Sequence, residues 1–326
     1  MRKRIILLSL VFVLLCGCGS PPAPQEEDGV TIVATTYPVY LFTSAVTQGV
    51  EGITVERLNT GSVSCLHDYT LSVTDMKKIE KADVIVLNGA GLEEFMEDAL
   101  AYSDALVIDC SEGVELLENL SHHHVEEEED EDHGHDHGHW DPHYWMDPRN
   151  ACVMVKNICE QMSRFDPEHT DSYAHYAAGW EAMLSGLDLY LREDMLQANL
   201  TDKGIEVGGL ITFHDGFRYF AHAYGLPLLE SIEEEAGSEA SAKEIVEITQ
   251  LVREYDLPVI FTEFNGSDAT AQAIARETGC QVVALTMIMD DLEGRVDGEF
   301  QGDYLNGMVH NMRAIVRAFR GSEGSK

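Results

Sequence analysis

Between residues 166 and 200, Tyr173, Tyr176, Trp180, Leu184, Leu187 and Leu191 recur at three- and four-residue steps. Only an α-helix puts that spacing on one face, and here the apolar stripe persists for about five turns. Short β-branched runs alternate with helical stretches on both sides of it. In the first half, strands are expected at Thr31–Thr35, Ile53–Leu58, Val84–Leu87 and Ala105–Asp109. Helices are expected at Val39–Gln48, in a stretch ending near Lys81, at Leu92–Ala101 and after Pro148 to about Phe165. The second half repeats the alternation, with strands at Val207–Thr212, Pro227–Glu230, Val259–Thr262 and Gln281–Leu285. Its helices are Phe217–Tyr224, Ser241–Tyr255, Asp268–Thr278 and Tyr304–Phe319, with Ser241 and Glu244 spaced as a capping box. Strands separated by helices form parallel sheets covered on both faces, so the chain is expected to be α/β, the second half a copy of the first architecture. With no Gly/Ser-rich linker between the halves, the striped helix joins two (β/α) lobes and restrains their relative motion. The expected divisions are 1–17, 18–29, a first lobe 30–165, a linking helix 166–200 and a second lobe 201–320.

The N-terminus has the pattern of a secretory signal. Arg2, Lys3 and Arg4 precede the apolar run Ile5–Leu15, which is too short to anchor stably across a bilayer. It ends Leu15-Cys16-Gly17-Cys18, which resembles the bacterial lipobox and makes Cys18 the expected lipid site. Residues 19–28 have the Pro-rich, polar composition of a tether. The mature chain is therefore expected outside the cytoplasm, held to the bacterial cell membrane by that lipid. Over all 326 residues, 58 acidic against 21 basic side chains, a net charge of -37, argue against nucleic acid or anionic lipid as electrostatic partners and favour cations.

Histidines concentrate in one stretch. His122, His123 and His124 are followed by seven acidic residues from Glu126 to Asp132, then by His133, His135, His137 and His139. With Val125 its only apolar side chain, residues 121–139 cannot offset the entropy of ordering and are expected to be a surface loop. Its imidazoles suit auxiliary capture of metal ions. Next comes Trp140-Asp141-Pro142-His143-Tyr144-Trp145-Met146-Asp147-Pro148, where two Asp-Pro pairs and two tryptophans frame His143 in a rigid turn. His67 and His214 each follow a strand, where ligands of open parallel sheets bind. Asp290 and Asp291, after the last strand, can complete a tetrahedron, and nitrogen-rich sets of this kind suit zinc. Of the cysteines left after processing, Cys65, Cys110, Cys152, Cys159 and Cys280, the odd number leaves at least one thiol free. Cys152 and Cys159, a helical seven apart, are expected as small core residues and not as a disulfide.

Four segments resemble the signatures of the zinc and manganese solute-binding lipoproteins of ABC importers: Cys65-Leu66-His67-Asp68-Tyr69, Asp141 to Pro148, Thr212-Phe213-His214-Asp215-Gly216-Phe217 and Val259-Ile260-Phe261-Thr262-Glu263. The resemblance spans Val30 to Arg320, and the Asp-Pro-His-x-Trp-x-Asp-Pro block is its most specific part. It implies two lobes on a long helix with the metal in the interlobe cleft, held by His67, His143 and His214. Manganese-type members tend to carry a carboxylate where His214 stands, which sorts the chain with the zinc type, as does the His-rich loop. Where the family often has Leu-Asp-Pro-Leu-Gly or Leu-Ser-Pro-Leu-Glu, this chain has Leu285-Thr286-Met287-Ile288-Met289-Asp290-Asp291-Leu292-Glu293. The fourth ligand is thus expected among Asp290, Asp291 and Glu293, with Asp290 first. Cys65 also stands where relatives commonly have proline.

The function implied is a monomeric receptor that captures Zn2+ and delivers it to an ABC permease. The chain has no G-x-x-x-x-G-K-[ST] phosphate loop, so ATP hydrolysis falls to a separate subunit. The alternatives are a manganese-type receptor, with Mn2+ as the second-ranked ion, and a surface adhesin or zinc buffer. A zinc hydrolase ranks last, since the chain has neither H-E-x-x-H nor G-x-S-x-G.

Overall fold

The structure, a computed structural model, describes residues 29–60, 69–118, 139–200, 207–233, 240–264, 266–292, 294–298, 300 and 302–321. The first lobe is built on β1 (Val30–Ala34), β2 (Ile53–Arg57), β3 (Val84–Leu87) and β4 (Leu106–Asp109). These form one parallel sheet in the order β2-β1-β3-β4. Alternate residues of β1 enter different cores: Ile32 and Ala34 face the main one, and Val33 packs with Leu58, Ile79, Ile85 and Met96 on the other side. Burial on both faces explains why these strands read as near-continuous apolar runs.

Helices α1 (Tyr37–Val46), α2 (Val73–Lys81), α3 (Glu97–Leu100) and α4 (Pro148–Phe165) complete this lobe. Thr36 caps α1 by accepting from the Val39 N–H, and Ser72 closes a capping box with Asp75 at α2. The helix expected over 92–101 is instead a 3-10 turn, Glu94–Met96, followed by the single turn of α3. The cause is Glu93, whose side chain is buried and accepts from the backbone N–H groups of Asn88 and Gly89 and from Thr35 Oγ1. It pins the preceding loop and so does not start a helix.

The long helix α5 (Thr170–Leu200) has 31 residues and follows a 3-10 turn at Pro167–His169. It packs against α1 and α4 of the first lobe and against α6 (Arg218–Tyr224) and α9 (Asp303–Gly321) of the second. The second lobe also contains β5 (Leu210–His214), β6 (Leu228–Glu233), α7 (Ala242–Glu254), β7 (Val259–Glu263), α8 (Ala269–Thr278) and β8 (Gln281–Leu285). It copies the alternation but not the sheet. Among the described residues the ladders are two parallel pairs, β5-β6 and β7-β8, with β5 lying beside β7 and a register shift between Leu210 and Ile211. The Ser241–Glu244 capping box forms at α7.

One apolar core runs through both lobes. Phe42 of α1 meets Trp180 of α5 edge-on at 5.8 Å and Tyr304 of α9 at 5.0 Å between ring centroids. Cys110 is buried, whereas Cys152, Cys159 and Cys280 are only partly so, and all four are free thiols.

Candidate metal centre

The turn before α4 is tied down at every residue that matters. Asp141 is buried, and its Oδ1 accepts from the His143 backbone N–H at 2.9 Å and from His143 Nδ1 at 2.8 Å. A carboxylate can only accept, so Nδ1 carries the proton and the lone pair of Nε2 faces outward, the ligating tautomer. The Asp141 N–H donates to the Leu117 carbonyl, and Asn88 Nδ2 donates to the Pro142 carbonyl. Tyr144 Oη donates to the Asn88 carbonyl, and Asp147 caps α4 by accepting from the Arg149 N–H. The same turn receives the second lobe. Tyr219 Oη of α6 donates to the Asp141 carbonyl at 2.9 Å, and Tyr304 Oη of α9 to the Trp145 carbonyl at 2.5 Å. In return Trp145 Nε1 donates to the Met287 carbonyl at 2.9 Å, beyond β8.

His214 is the last residue of β5 and is also buried. Gly216 follows, and it leaves room for its neighbours: a Cβ there would stand 2.1 Å from Met287 Cε, which would have to move, and 3.1 Å from His214 Cδ2. The His214 ring meets that of His143 nearly at right angles, 87° with centroids 5.0 Å apart, and the two Nε2 atoms are 3.3 Å from each other. Two nitrogens bound to one tetrahedral zinc at about 2.0–2.1 Å lie about 3.3 Å apart. The pair therefore already has the separation that a shared zinc ion requires. The charge nearby is negative. Burial lifts the Asp215 carboxyl to about 6, the charge of Asp141 raising it further while Arg218 and His143 oppose.

Of the expected ligands, the structure brings together His143 and His214. His67 and Glu293 lie outside the described residues, as do Cys65, Cys18 and the loop histidines His122, His123, His124, His133, His135 and His137. His139, at the loop's end, packs edge-on against Trp140 at 4.5 Å with Glu118 Oε1 4.0 Å from its Nε2. Asp290 is turned to the first lobe, its Oδ1 3.0 Å from Arg57 Nη2, and Arg57 lies over the Tyr37 ring at 4.7 Å. Asp291 is close enough to Tyr37 for its charge to help push that phenol up, after burial and the hydrogen bond to Asp303. Among the described residues no group of three or more His, Cys, Asp or Glu assembles as a metal site. Sequence reasoning missed the role of Asp141. Its signal was the two-residue spacing to His143, from which an Asp can accept the i+2 N–H.

Two α/β lobes on one long helix, with an imidazole from each meeting between them, define the class of two-lobed metal receptors. The chain belongs to the family described as "ZnuA: Zinc-uptake complex component A periplasmic", which matches residues 32–318. It is 30% identical over 320 residues to the "High-affinity zinc uptake system protein ZnuA" of Bacillus subtilis, covering 95% of each chain. To the "Zinc-binding protein AdcA" of Streptococcus pyogenes it is 29% identical over 336 residues, covering 97% of this chain and 61% of that one, so it spans less than two thirds of that relative. Among solved structures, the laminin-binding protein Lmb of Streptococcus agalactiae matches with a TM-score of 0.72 at 25% identity, covering 89% of this chain and 100% of that one. Lmb is described as bifunctional, with adhesin and metal-transporting activity.

Proposed function

We propose that the chain is an extracytoplasmic receptor that captures Zn2+ between its lobes and delivers it to an ABC permease driven by a separate ATPase subunit. The 3.3 Å separation of His143 Nε2 and His214 Nε2 carries the assignment, because it matches two bonds to one tetrahedral ion. The relatives named for zinc uptake and zinc binding support the same ion. His67 is proposed as the third donor. Asp290 is proposed as the fourth, reaching the ion by leaving Arg57, with Asp291 and Glu293 as alternatives. An imidazole at 214 favours zinc over manganese, whose preference is for oxygen donors.

Competition titration with zinc, manganese, cobalt and nickel tests the assignment. One tight zinc site is expected, lost by orders of magnitude in His143→Ala and in His214→Ala. A preference for manganese, or zinc binding indifferent to both substitutions, overturns it. The lipid on Cys18 is proposed as the anchor, supported by the relative in Streptococcus pneumoniae named a lipoprotein. Cys18→Ala protein that still fractionates with membranes after signal cleavage would remove that support. Surface adhesion is the second reading, favoured by the described activity of Lmb, and binding to immobilised laminin tests it.

A further inference from the structure

The residues that follow β8 are held from three directions. Asn311 of α9 exchanges two hydrogen bonds with the backbone of Thr286, donating from Nδ2 at 2.8 Å and accepting at Oδ1 at 2.9 Å. The Thr286 hydroxyl accepts from the Ile288 N–H at 2.9 Å, and the Met287 carbonyl accepts from the Trp145 indole. Ile288 has a φ of 59°. A β-branched residue in the left-handed region is an outlier that persists only where its surroundings impose it, and such outliers cluster at functional sites.

This fixed turn lays the Met287 side chain over Gly216, on the His214 side of the pair. A point one bond off the Gly216 Cα lies 2.7 Å from Met287 Sδ and 3.1 Å from His214 Cδ2, the ring carbon bonded to Nε2. The Met287 methyl lies closer still to that point, at 2.1 Å, so the thioether end of Met287 and the Cδ2 edge of His214 share the space over Gly216. On the other flank, the indole that donates to Met287 packs against the His143 ring at 5.3 Å. Met287 is buried. A thioether enclosed by apolar side chains fills space as leucine would, but here it shares the space over Gly216 with an imidazole whose Nε2 faces a second imidazole. The carboxylate of its own loop, Asp290, is engaged by Arg57.

The geometry points to Met287 as a sulfur donor at this centre: with His143 and His214 it forms a three-donor set for a soft monovalent cation, Cu(I), while Asp290 stays on Arg57. Thioether sulfur selects Cu(I), whereas zinc accepts carboxylate oxygen in its place. The same pair of imidazoles then serves two ions, Asp290 completing the harder set and Met287 the softer. The inference rests on the proposed histidine centre.

The full chain is loaded with one equivalent of Cu(I), under a competing chromophoric Cu(I) chelator and without oxygen, so that only its tightest site fills. Copper-edge X-ray absorption is expected to show a sulfur neighbour that disappears in Met287→Leu. In that variant Cu(I) affinity should fall relative to zinc affinity by at least about tenfold, the lower bound for losing even an outer-shell partner. Asp290→Asn should shift the ratio in the opposite direction. A copper shell of nitrogen and oxygen alone overturns the inference and leaves the zinc reading standing. So does a sulfur neighbour that survives in Met287→Leu, which would mark a cysteine thiolate or another methionine such as Met289 of the same loop. If His143→Ala affects neither ion, the centre itself is wrong and the inference falls with it.

Discussion

Asp141 orients His143 without touching the ion, and Asp141→Asn separates its charge from its shape. The amide oxygen of asparagine can still accept from the His143 backbone N–H and from Nδ1, so ring and tautomer stay in place. What is lost is the negative charge that makes Nε2 a stronger donor. Loss of such a partner costs about 10- to 100-fold in metal affinity, or about 1.4 to 2.8 kcal/mol. The metal-free fold should respond in the other direction. Asp141 Oδ2 is buried and has no hydrogen-bond partner among the described residues, and exchanging a buried charge for a neutral amide relieves desolvation. Asp141→Asn should therefore bind zinc more weakly by that factor while the metal-free protein melts no lower than native. A chelator competition titration and a melting curve in chelator give both numbers. Native-like affinity would refute the orienting role. A fall in affinity matched by an equal loss of metal-free stability would show that Asp141 merely holds the turn together.

Burial pushes the Glu93 carboxyl from its ordinary 4.5 up to about 7, against the hydrogen bonds it accepts from Thr35, Asn88 and Gly89. The native state then keeps a proton that the unfolded chain has released. Glu93 should thus favour folding fully below about pH 4.5 and lose that contribution, of about 3 kcal/mol, as pH rises through about 7. Urea midpoints of native and Glu93→Gln proteins should show this slope in their difference, and a flat difference would contradict it. Deleting residues 122–139 should leave one tight zinc site and remove weaker binding beyond one equivalent. Glu118 and Trp140 already pair across the base of that segment, so the shortened chain can close there. Loss of the tight site in calorimetry would mean that the loop supplies ligands to the centre.

Much of this was legible because it is local. Ser241 and Glu244 announce the α7 cap at a spacing of three, and Asp147-Pro148 announces the start of α4, whereas the strand expected at Val207–Thr212 runs instead over Leu210–His214 and so includes His214. Other features depend on contacts that no local pattern encodes. Trp145 meets Met287 across 142 residues, Tyr304 meets Trp145 across 159, and Arg57 meets Asp290 across 233. Thus Asp290 could be ranked first as a carboxylate after the last strand, while its pairing with Arg57 had no sequence signal. The helix expected over 92–101 failed for a similar reason. Glu93 reads as an ordinary helix former, and its burial beneath Thr35 follows only once β1 and β3 are side by side.

The turn that carries His143 is also the surface on which the second lobe docks. Tyr219 and Tyr304 donate into its backbone, and its Trp145 donates out to Met287. His214, one strand-end away, is therefore placed relative to His143 by packing and hydrogen bonds that involve no metal. Binding a ligand to a site already in shape avoids the cost of ordering it, so more of the bond energy remains as affinity. The apolar core continuous through both lobes, with α5 against each, leaves little freedom for the lobes to separate widely. Ion entry and release must then depend on small rearrangements near the centre itself. The Arg57–Asp290 ion pair, partly exposed and spanning the two lobes, is the contact there that can exchange with little cost to the core.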